Sequence, residues 1–144
     1  MTLKIAESQS DYLPALREIY LQVRQATFTW FDTSHYQLTS FDTDTKDEYV
    51  LVASIDDVVV GFVSAYMPEN FIHHVYVHQS YQKQGIGKML LDAMLTKMKP
   101  PAGLKCLQLN EAAIAFYKKY GFVKRKKGIS TEGIYLLLEY AGEE

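Results

Sequence analysis

The stretch that decides the fold is Gln82–Gly87, which reads QKQGIG. It follows a run that predicts a strand, Phe71–His78, and it opens a run that predicts a helix, Gly87–Lys99. The first turn of a helix leaves backbone N–H groups without partners, and the helix dipole adds partial positive charge there. Glycine has no Cβ, so an anion can approach the backbone closely. The stretch therefore predicts a phosphate or pyrophosphate site where the loop enters the helix.

Two common phosphate-binding loops do not fit this stretch. A Walker loop places Ser or Thr directly after Gly-Lys to bind Mg²⁺, whereas Met89 follows Lys88 here. A dinucleotide-binding loop needs a third glycine three residues after the second, and that position is Leu90. A nucleotide-binding switch is therefore disfavoured.

A second motif lies in Asn110–Phe122, which reads NEAAIAFYKKYGF. Asn110 is a favourable N-cap, and Gly121 stands where a left-handed residue commonly ends a helix. Side chains between them recur with helical spacing, so they share one face. These are Ala113, Phe116, Tyr117 and Tyr120. The motif predicts an amphipathic helix followed by an extended segment.

Together the two motifs resemble the GNAT superfamily of acetyl-CoA-dependent N-acyltransferases. The family loop reads Q/R-x-x-G-x-G/A, and its later helix reads N-x-x-A-x-x-F-Y-x-x-x-G-F. The resemblance covers the second half of the chain closely and the first half only in its order of elements. It implies an α/β (α+β) fold with one GNAT-like domain over residues 1–144. The central sheet would be mixed and mostly antiparallel, with helices on both faces and a splayed gap beside the strand that precedes the loop.

The resemblance also implies acetyl-CoA as co-substrate, without a metal. The pyrophosphate is expected on the amides of the loop, and the pantetheine arm is expected in the splayed gap, paired with strand backbone as if it were an extra strand. The expected coenzyme-binding residues are Val75, Tyr76, Val77, Gln82, Lys83, Gln84, Gly85, Ile86, Gly87, Lys88, Asn110, Phe116 and Lys119.

Acyl transfer from a thioester to an amine needs a base for the amine and an acid for the departing thiolate. By resemblance, Tyr117 is the candidate acid and His73 the candidate base, similar to a strand histidine of arylalkylamine acetyltransferases. The family's other common base position is Phe71 here. His74 would point to the opposite face if strand pairing is regular, and a bulge would exchange the two histidines. Glu69 is a third option, acting directly or through water.

The acceptor pocket is expected, again by resemblance, to come from the first helix and the segment Phe28–Phe41. Aromatic candidates for its lining are Phe28, Trp30, Phe31, Tyr36 and Tyr66. An aromatic lining with Glu69 nearby suits an amine that carries an apolar body. The alternative is that most of these rings belong to the core, where aromatic side chains usually lie.

The rest of the chain predicts further strands and helices. A helix is expected from Ser10 to about Thr27 and a short one after Thr33-Ser34. Strands are expected at Leu3–Ile5, Tyr49–Ile55, Val58–Tyr66, Leu104–Leu109, Val123–Lys127 and Ile134–Tyr140, with a hairpin turn at Asp56-Asp57.

Length and composition restrict the class of protein. The chain has 144 residues, 48% of them hydrophobic and 22% charged, which is typical of a globular domain. Its net charge of −2 provides no positive field for nucleic acid. No apolar run reaches the length of a membrane span, no signal-peptide pattern is seen, and the single cysteine, Cys106, cannot form an internal disulfide. These features predict a cytoplasmic protein without nucleic-acid or membrane partners.

The leading hypothesis is an N-acetyltransferase that moves the acetyl group of acetyl-CoA to a primary amine of a small molecule by direct attack in a ternary complex. Two alternatives stay open at this point. One is a peptide or protein N-acetyltransferase, and the other is a non-catalytic acyl-CoA-binding module. A homodimer is also left open.

Overall fold

The computed structural model describes residues 2–142 of the chain, which form one open seven-stranded sheet with helices on both faces. The strands are β1 (Leu3–Glu7), β2 (Tyr49–Ile55), β3 (Val58–Tyr66), β4 (Phe71–Val77), β5 (Ala102–Leu107), β6 (Val123–Ser130) and β7 (Gly133–Tyr140). The α-helices are α1 (Leu13–Thr27), α2 (Ser40–Asp44), α3 (Ile86–Leu95) and α4 (Glu111–Tyr120). No helix in this part of the chain is long and apolar enough to cross a membrane.

The strand order is β1-β2-β3-β4-β5-β7-β6, and the expected fold class is confirmed. In the described chain, neighbouring strands pair antiparallel except β4 and β5, which run parallel because α3 crosses over between them. β4 and β5 pair at Phe71–Gly103 and Ile72–Leu104 and then separate. This divergence is the expected splayed gap.

Apolar side chains on the two faces of the sheet form two cores. One face packs against α3 and α4, through residues such as Leu90, Leu91 and Phe116. The other face packs against α1 and α2, and the buried rings of Tyr20 and Phe62 lie at its centre. The sheet therefore separates two helical layers.

Several boundaries differ from the expectation. A 3₁₀ turn, Ser10–Tyr12, precedes α1. The short helix lies at Ser40–Asp44 and not after Thr33-Ser34. At the expected position the Asp32 side chain accepts a hydrogen bond from the Ser34 N–H (2.9 Å), which favours a turn instead of a helix.

The helix after the loop ends at Leu95, not Lys99, because Asn70 holds the following segment against the sheet. The Asn70 amide donates to the carbonyls of Lys99 and Pro101, and its Oδ1 accepts from the Lys99 N–H (3.1 Å). The hairpin between β2 and β3 is confirmed. Asp56 and Asp57 have φ of 50° and 69°, the left-handed pair that a two-residue hairpin of this type requires.

Candidate active site

The loop Gln82–Lys88, named here the glycine loop, leads from β4 into α3. The first helical bond runs from the Met89 N–H to the Gly85 carbonyl (3.1 Å). The N–H groups of Ile86, Gly87 and Lys88 precede that bond, so they have no acceptor within the helix. They lie at the positive end of the helix dipole and point out of the helix, which is the geometry that binds a phosphate.

Gln82 and the two glycines have different roles in this loop. The Gln82 side chain donates to the Val77 carbonyl (2.9 Å), which fastens the loop to the end of β4. Gly85 has φ of 81°, and a Cβ added there would meet nothing within 4 Å. A Cβ on Gly87 would lie 3.3 Å from the Phe116 ring. Gly85 thus allows the backbone turn and leaves open space beside the loop, whereas the missing side chain of Gly87 mainly makes room for the Phe116 ring of α4.

The strand residues expected to bind the pantetheine border the gap. Past Ile72, the side of β4 that faces β5 has no strand partner among residues 2–142. The side chains of Val75 and Val77 pack into the core beneath α3, and the Tyr76 ring lies on the opposite face. The backbone of this segment is therefore available to an extended ligand in the gap.

Helix α4 has the expected caps. The side chain of Asn110 accepts from the Ala113 N–H (3.4 Å). Gly121 has φ of 126°, and the Phe122 N–H donates to the Tyr117 carbonyl (3.0 Å), which closes the helix. Phe116 and Lys119 border a cavity of about 320 Å³ between α3 and α4, together with Lys88, Asp92, Tyr120 and Tyr140.

Tyr117 packs between Phe116 and Phe122, with ring-centroid distances of 5.3 and 5.5 Å. Burial raises the pKa of its phenol well above the ordinary range, and the nearby Cys106 and Tyr76 add to the effect. The hydroxyl therefore keeps its proton at neutral pH. Burial also raises the pKa of the Cys106 thiol to about 11, so this thiol stays protonated as well and is a poor nucleophile.

A larger cavity of about 430 Å³, named here the main cavity, lies on the α1 face at the open end of the gap. Tyr76 of β4 and Leu107 of β5 border it on either side of the gap. The full lining is Tyr20, Arg24, Phe28, Phe31, His35, Tyr36, Ser40, Asp44, His73, His74, Tyr76, Leu107 and Glu132.

The structure brings some of the expected acceptor residues together and not others. Phe28, Phe31 and Tyr36 line the main cavity. Trp30 packs edge-on against Phe28 and Phe31 and is not part of that lining.

The other two expected neighbours lie outside the lining. Tyr66 stacks on His73 with a centroid distance of 6.5 Å and an interplanar angle of 9°. Glu69 is exposed in the turn ahead of β4 and does not line the main cavity, which argues against the Glu69 alternative for the base.

A β-bulge places His73 and His74 on the same face of β4. Ser64 pairs with His74 while Ala65 pairs with Ile72, so His73 is the extra residue of the bulge. The two imidazole centroids are 6.0 Å apart, and both rings line the main cavity. Pairing is therefore not regular, and the bulge does not exchange the two histidines but puts both on the cavity face.

Glu48 lies beneath the two imidazoles, directly before β2, and its side chain is only 4% exposed. Its Oε2 contacts Nδ1 of His73, and its Oε1 is 3.6 Å from Nδ1 of His74. Burial alone would raise the pKa of this carboxyl, but the adjacent polar side chains of His74, His73 and Ser64 outweigh burial and lower the pKa. Glu48 is therefore ionised at neutral pH.

Both nitrogens of His74 have partners. Ser64 Oγ is 2.8 Å from Nδ1, and the Tyr20 hydroxyl is 3.2 Å from Nε2. Tyr20 donates its single proton to Oδ2 of Asp44 (2.6 Å), so its oxygen accepts from Nε2–H. In the neutral ring this leaves Nδ1 to accept from Ser64. His74 is thus held in one tautomer by its neighbours.

Arg24 and two carboxylates set the charge of the cavity wall. The Arg24 guanidinium lies over the rings of Tyr20 and Tyr36, at 4.2 and 3.8 Å from their centroids. Its Nη1 is 3.8 Å from Oδ2 of Asp44. Glu132, from the turn between β6 and β7, adds an exposed carboxylate.

A sequence model of the acetyltransferase (GNAT) family matches residues 13–122, which is most of the chain. The chain belongs to the GNAT acetyltransferase family. GNAT enzymes take the acetyl group from acetyl-CoA and need no metal, so acetyl-CoA is the co-substrate of this acetyltransferase.

Solved GNAT structures share its fold over nearly the whole chain. The PaiA N-acetyltransferase of Thermoplasma acidophilum, solved with coenzyme A, is 19% identical, with a TM-score of 0.81 over 99% of this chain and 100% of that one. Apo YjaB of Escherichia coli is 22% identical, with a TM-score of 0.80 over 99% and 100%. The ribosomal-protein-alanine N-acetyltransferase of Brucella melitensis is 21% identical, with a TM-score of 0.75 over 96% and 99%.

Several polar residues of this GNAT site were not predicted from the sequence. Glu48, Ser64 and Tyr20 surround the histidines, and Arg24 and Asp44 lie at the cavity wall. Ser64 stands in an otherwise apolar strand, which is a usable signal for a buried hydrogen bond. Glu48 follows a run of acidic and polar residues, where nothing in the sequence indicates its burial.

Proposed function

We propose that this GNAT acetyltransferase moves the acetyl group of acetyl-CoA to a primary amine of a small molecule, by direct attack in a ternary complex. The main cavity carries the proposal. Its volume of about 430 Å³ suits a small ligand, and it opens at the end of the gap that is expected to hold the pantetheine arm.

The cavity wall favours an amine with an apolar body. The rings of Phe28, Phe31 and Tyr36 offer apolar surface, and the ring faces that Arg24 does not cover attract a cation. The charge of Arg24 is opposed by Asp44, and Glu132 adds a further carboxylate. The wall therefore attracts an ammonium group more than a carboxylate.

The proposed reaction assigns a role to each side of the gap. The N–H groups of the glycine loop hold the pyrophosphate, and the backbone of Val75–Val77 orients the pantetheine arm, which brings the thioester to the amine. The amine nitrogen bonds to the acetyl carbonyl carbon, the carbon–sulfur bond breaks, and His73 accepts the proton that the amine loses.

Tyr117 is proposed to assist the departing thiolate of coenzyme A. Because burial raises its pKa above that of an ordinary thiol, complete proton transfer from this phenol is unfavourable. The phenol can still donate a hydrogen bond to the sulfur as negative charge develops there. The thiolate then gains its proton from solvent after release.

A thiol-release assay tests the proposal. The purified chain would be incubated with acetyl-CoA and a panel of arylalkylamines, alkylamines, amino acids and short peptides, and the products would be identified by mass spectrometry. We expect the largest kcat/KM for a primary amine with an apolar body, and an N-acetylated product.

Other outcomes would select the alternatives. A larger kcat/KM for peptide N-termini or lysine side chains would favour a peptide or protein N-acetyltransferase. Binding of acetyl-CoA without thiol release in the presence of any amine would favour a non-catalytic module. The cytoplasmic location and the homodimer remain predictions, to be checked by fractionation and by sedimentation.

A further inference from the structure

We propose that Glu48 is a positioning residue, which acts through His73 by holding the proton on Nδ1 so that Nε2 is left to accept the proton of the amine. This inference rests on the proposed function, because it concerns the base of that reaction. It identifies a residue far from both motifs, at the start of β2.

The placement of Glu48 is unusual for a residue with only a structural role. A carboxylate that is 4% exposed loses most of its hydration, and this loss is costly unless charged or hydrogen-bonding partners replace the water. Its Oε2 contacts Nδ1 of His73, while its Oε1 lies 3.6 Å from Nδ1 of His74 and has no hydrogen-bond partner among residues 2–142. Both imidazoles line the main cavity. A purely structural ion pair would have no need to face the cavity.

The two histidines differ in which nitrogen is free. His74 is 14% exposed, and Ser64 and Tyr20 occupy both of its nitrogens. His73 is 39% exposed, and its Nδ1 contacts Glu48. Within residues 2–142, Nε2 of His73 has no hydrogen-bond partner. His73 is therefore the ring that can accept a proton from a molecule in the cavity.

The Glu48 carboxylate affects this step in two ways. It accepts only, so its contact requires a proton on Nδ1 of His73 and thereby fixes the neutral tautomer. When Nε2 takes the proton of the amine, the ring becomes an imidazolium, whose positive charge the adjacent carboxylate stabilises. No atom of Glu48 needs to touch the amine.

Other titratable groups around the two rings come from α1, α2 and β4. Tyr20 and Arg24 approach from α1, Asp44 from α2, and His74 lies beside His73 on β4. Asp44 accepts a hydrogen bond from Tyr20 and lies 3.8 Å from the Arg24 guanidinium, so its negative charge already has partners. Glu48 is the carboxylate in contact with His73, and its removal is the direct test.

The first measurement is the tautomer of His73 in the wild-type chain. Nitrogen-15 NMR in alkaline buffer, where the neutral ring dominates, distinguishes a proton on Nδ1 from one on Nε2. The His73→Gln spectrum assigns the signal. We expect the proton on Nδ1. A proton on Nε2 would overturn the inference, and this readout does not depend on whether the chain acetylates any amine.

The second measurement is kinetic and compares Glu48→Gln with Glu48→Asp. We expect kcat to fall by roughly 10- to 100-fold in Glu48→Gln, with acetyl-CoA affinity unchanged, and to fall less in Glu48→Asp, which keeps the charge. Asp47→Asn is the matched control, since Asp47 is exposed in the same turn and Asn tolerates its φ of 65°.

The outcomes are separable. Unchanged kcat in a folded Glu48→Gln chain, or equal losses in the Gln and Asp variants, would mean that Glu48 only packs or pairs, and would overturn the inference. If the wild-type chain acetylates no amine, the proposed function fails, and the tautomer of His73 still decides whether Glu48 orients the ring. If Glu48→Gln does not fold, the wild-type tautomer alone decides.

Discussion

The glycine loop comes from one uninterrupted stretch, Gln82–Lys88, whereas the main cavity draws its wall from α1, the segment 28–44, β4, β5 and the turn between β6 and β7. The loop offers backbone N–H groups, which any sequence has, in a conformation that few sequences adopt. The cavity instead offers side chains, and their meeting depends on the whole fold. The two regions meet along β4.

This difference implies that the two regions can be separated by mutation. A change in the loop alters a backbone conformation and should therefore appear in coenzyme affinity. A change in the cavity removes a side chain that meets the amine and should appear in kcat or in amine selectivity. Single substitutions in each region should show this separation.

Removal of the His73 ring should give the largest effect. We expect His73→Ala to lower kcat/KM for the preferred amine by roughly 10²- to 10⁴-fold, the usual contribution of a positioned general base. The affinity for acetyl-CoA, measured by calorimetry, should stay unchanged because His73 lies outside the glycine loop. Activity close to that of the wild type would transfer proton removal to His74 or to solvent.

Loss of the Tyr117 hydroxyl should have the next largest effect. We expect Tyr117→Phe to lower kcat and kcat/KM by a similar factor, at most about 10²-fold, because the hydroxyl acts as the thiolate develops. Tyr49→Phe is the control, since it removes a hydroxyl that donates to Glu7 (2.8 Å) at the β1–β2 end of the sheet, away from the gap. Equal activity in both variants would reduce Tyr117 to a packing residue.

Gly85→Ala tests the loop against a matched glycine elsewhere. Gly85 and Gly133 have φ of 81° and 125°, and a Cβ on either would meet nothing within 4 Å. Each change to Ala should therefore cost about 1 kcal/mol of stability through backbone strain alone. Only Gly85→Ala should also weaken acetyl-CoA binding, by about tenfold. Equal affinity in the two variants would contradict the assignment of the loop.

The smallest effect concerns pH and Glu48. The pKa of this carboxyl is lower in the folded chain than in the unfolded one, so its contribution to stability is present above the unfolded pKa and is lost as the pH falls through the folded pKa. The melting temperatures of the wild type and of Glu48→Gln should differ most near neutral pH and converge in the acid range. Convergence at high pH would contradict the sign of this shift.

The sequence predicted the coenzyme side because its signals are local. The caps Asn110 and Gly121, the loop glycines and the apolar spacing of α4 each depend on residues a few positions apart. The start and end of a helix and its apolar face can therefore be predicted from such short-range patterns. Even there, the space that Gly87 leaves for Phe116 could not be read from spacing, because it depends on how two helices pack.

The acceptor side was predicted less completely because its geometry is not local. Whether His73 and His74 share a face depends on one extra residue in the pairing of β4 with β3, and that register is set by the sheet as a whole. The contact of Glu48 with both imidazoles depends on the same bulge. The aromatic segment was identified as part of the cavity wall. Trp30 and Tyr66, however, do not line the cavity but pack against rings that do.

The divergence of β4 and β5 gives the sheet an inner edge in addition to its outer edges at β1 and β6. Unpaired strand edges are sites at which other chains can add a strand and begin aggregation. A ligand that pairs with β4 closes this edge and would act as a protectant of the chain as well as a reactant. The chain should therefore scatter more light on storage at high concentration without coenzyme A than with it, and amide exchange along β4 should slow when coenzyme A is added.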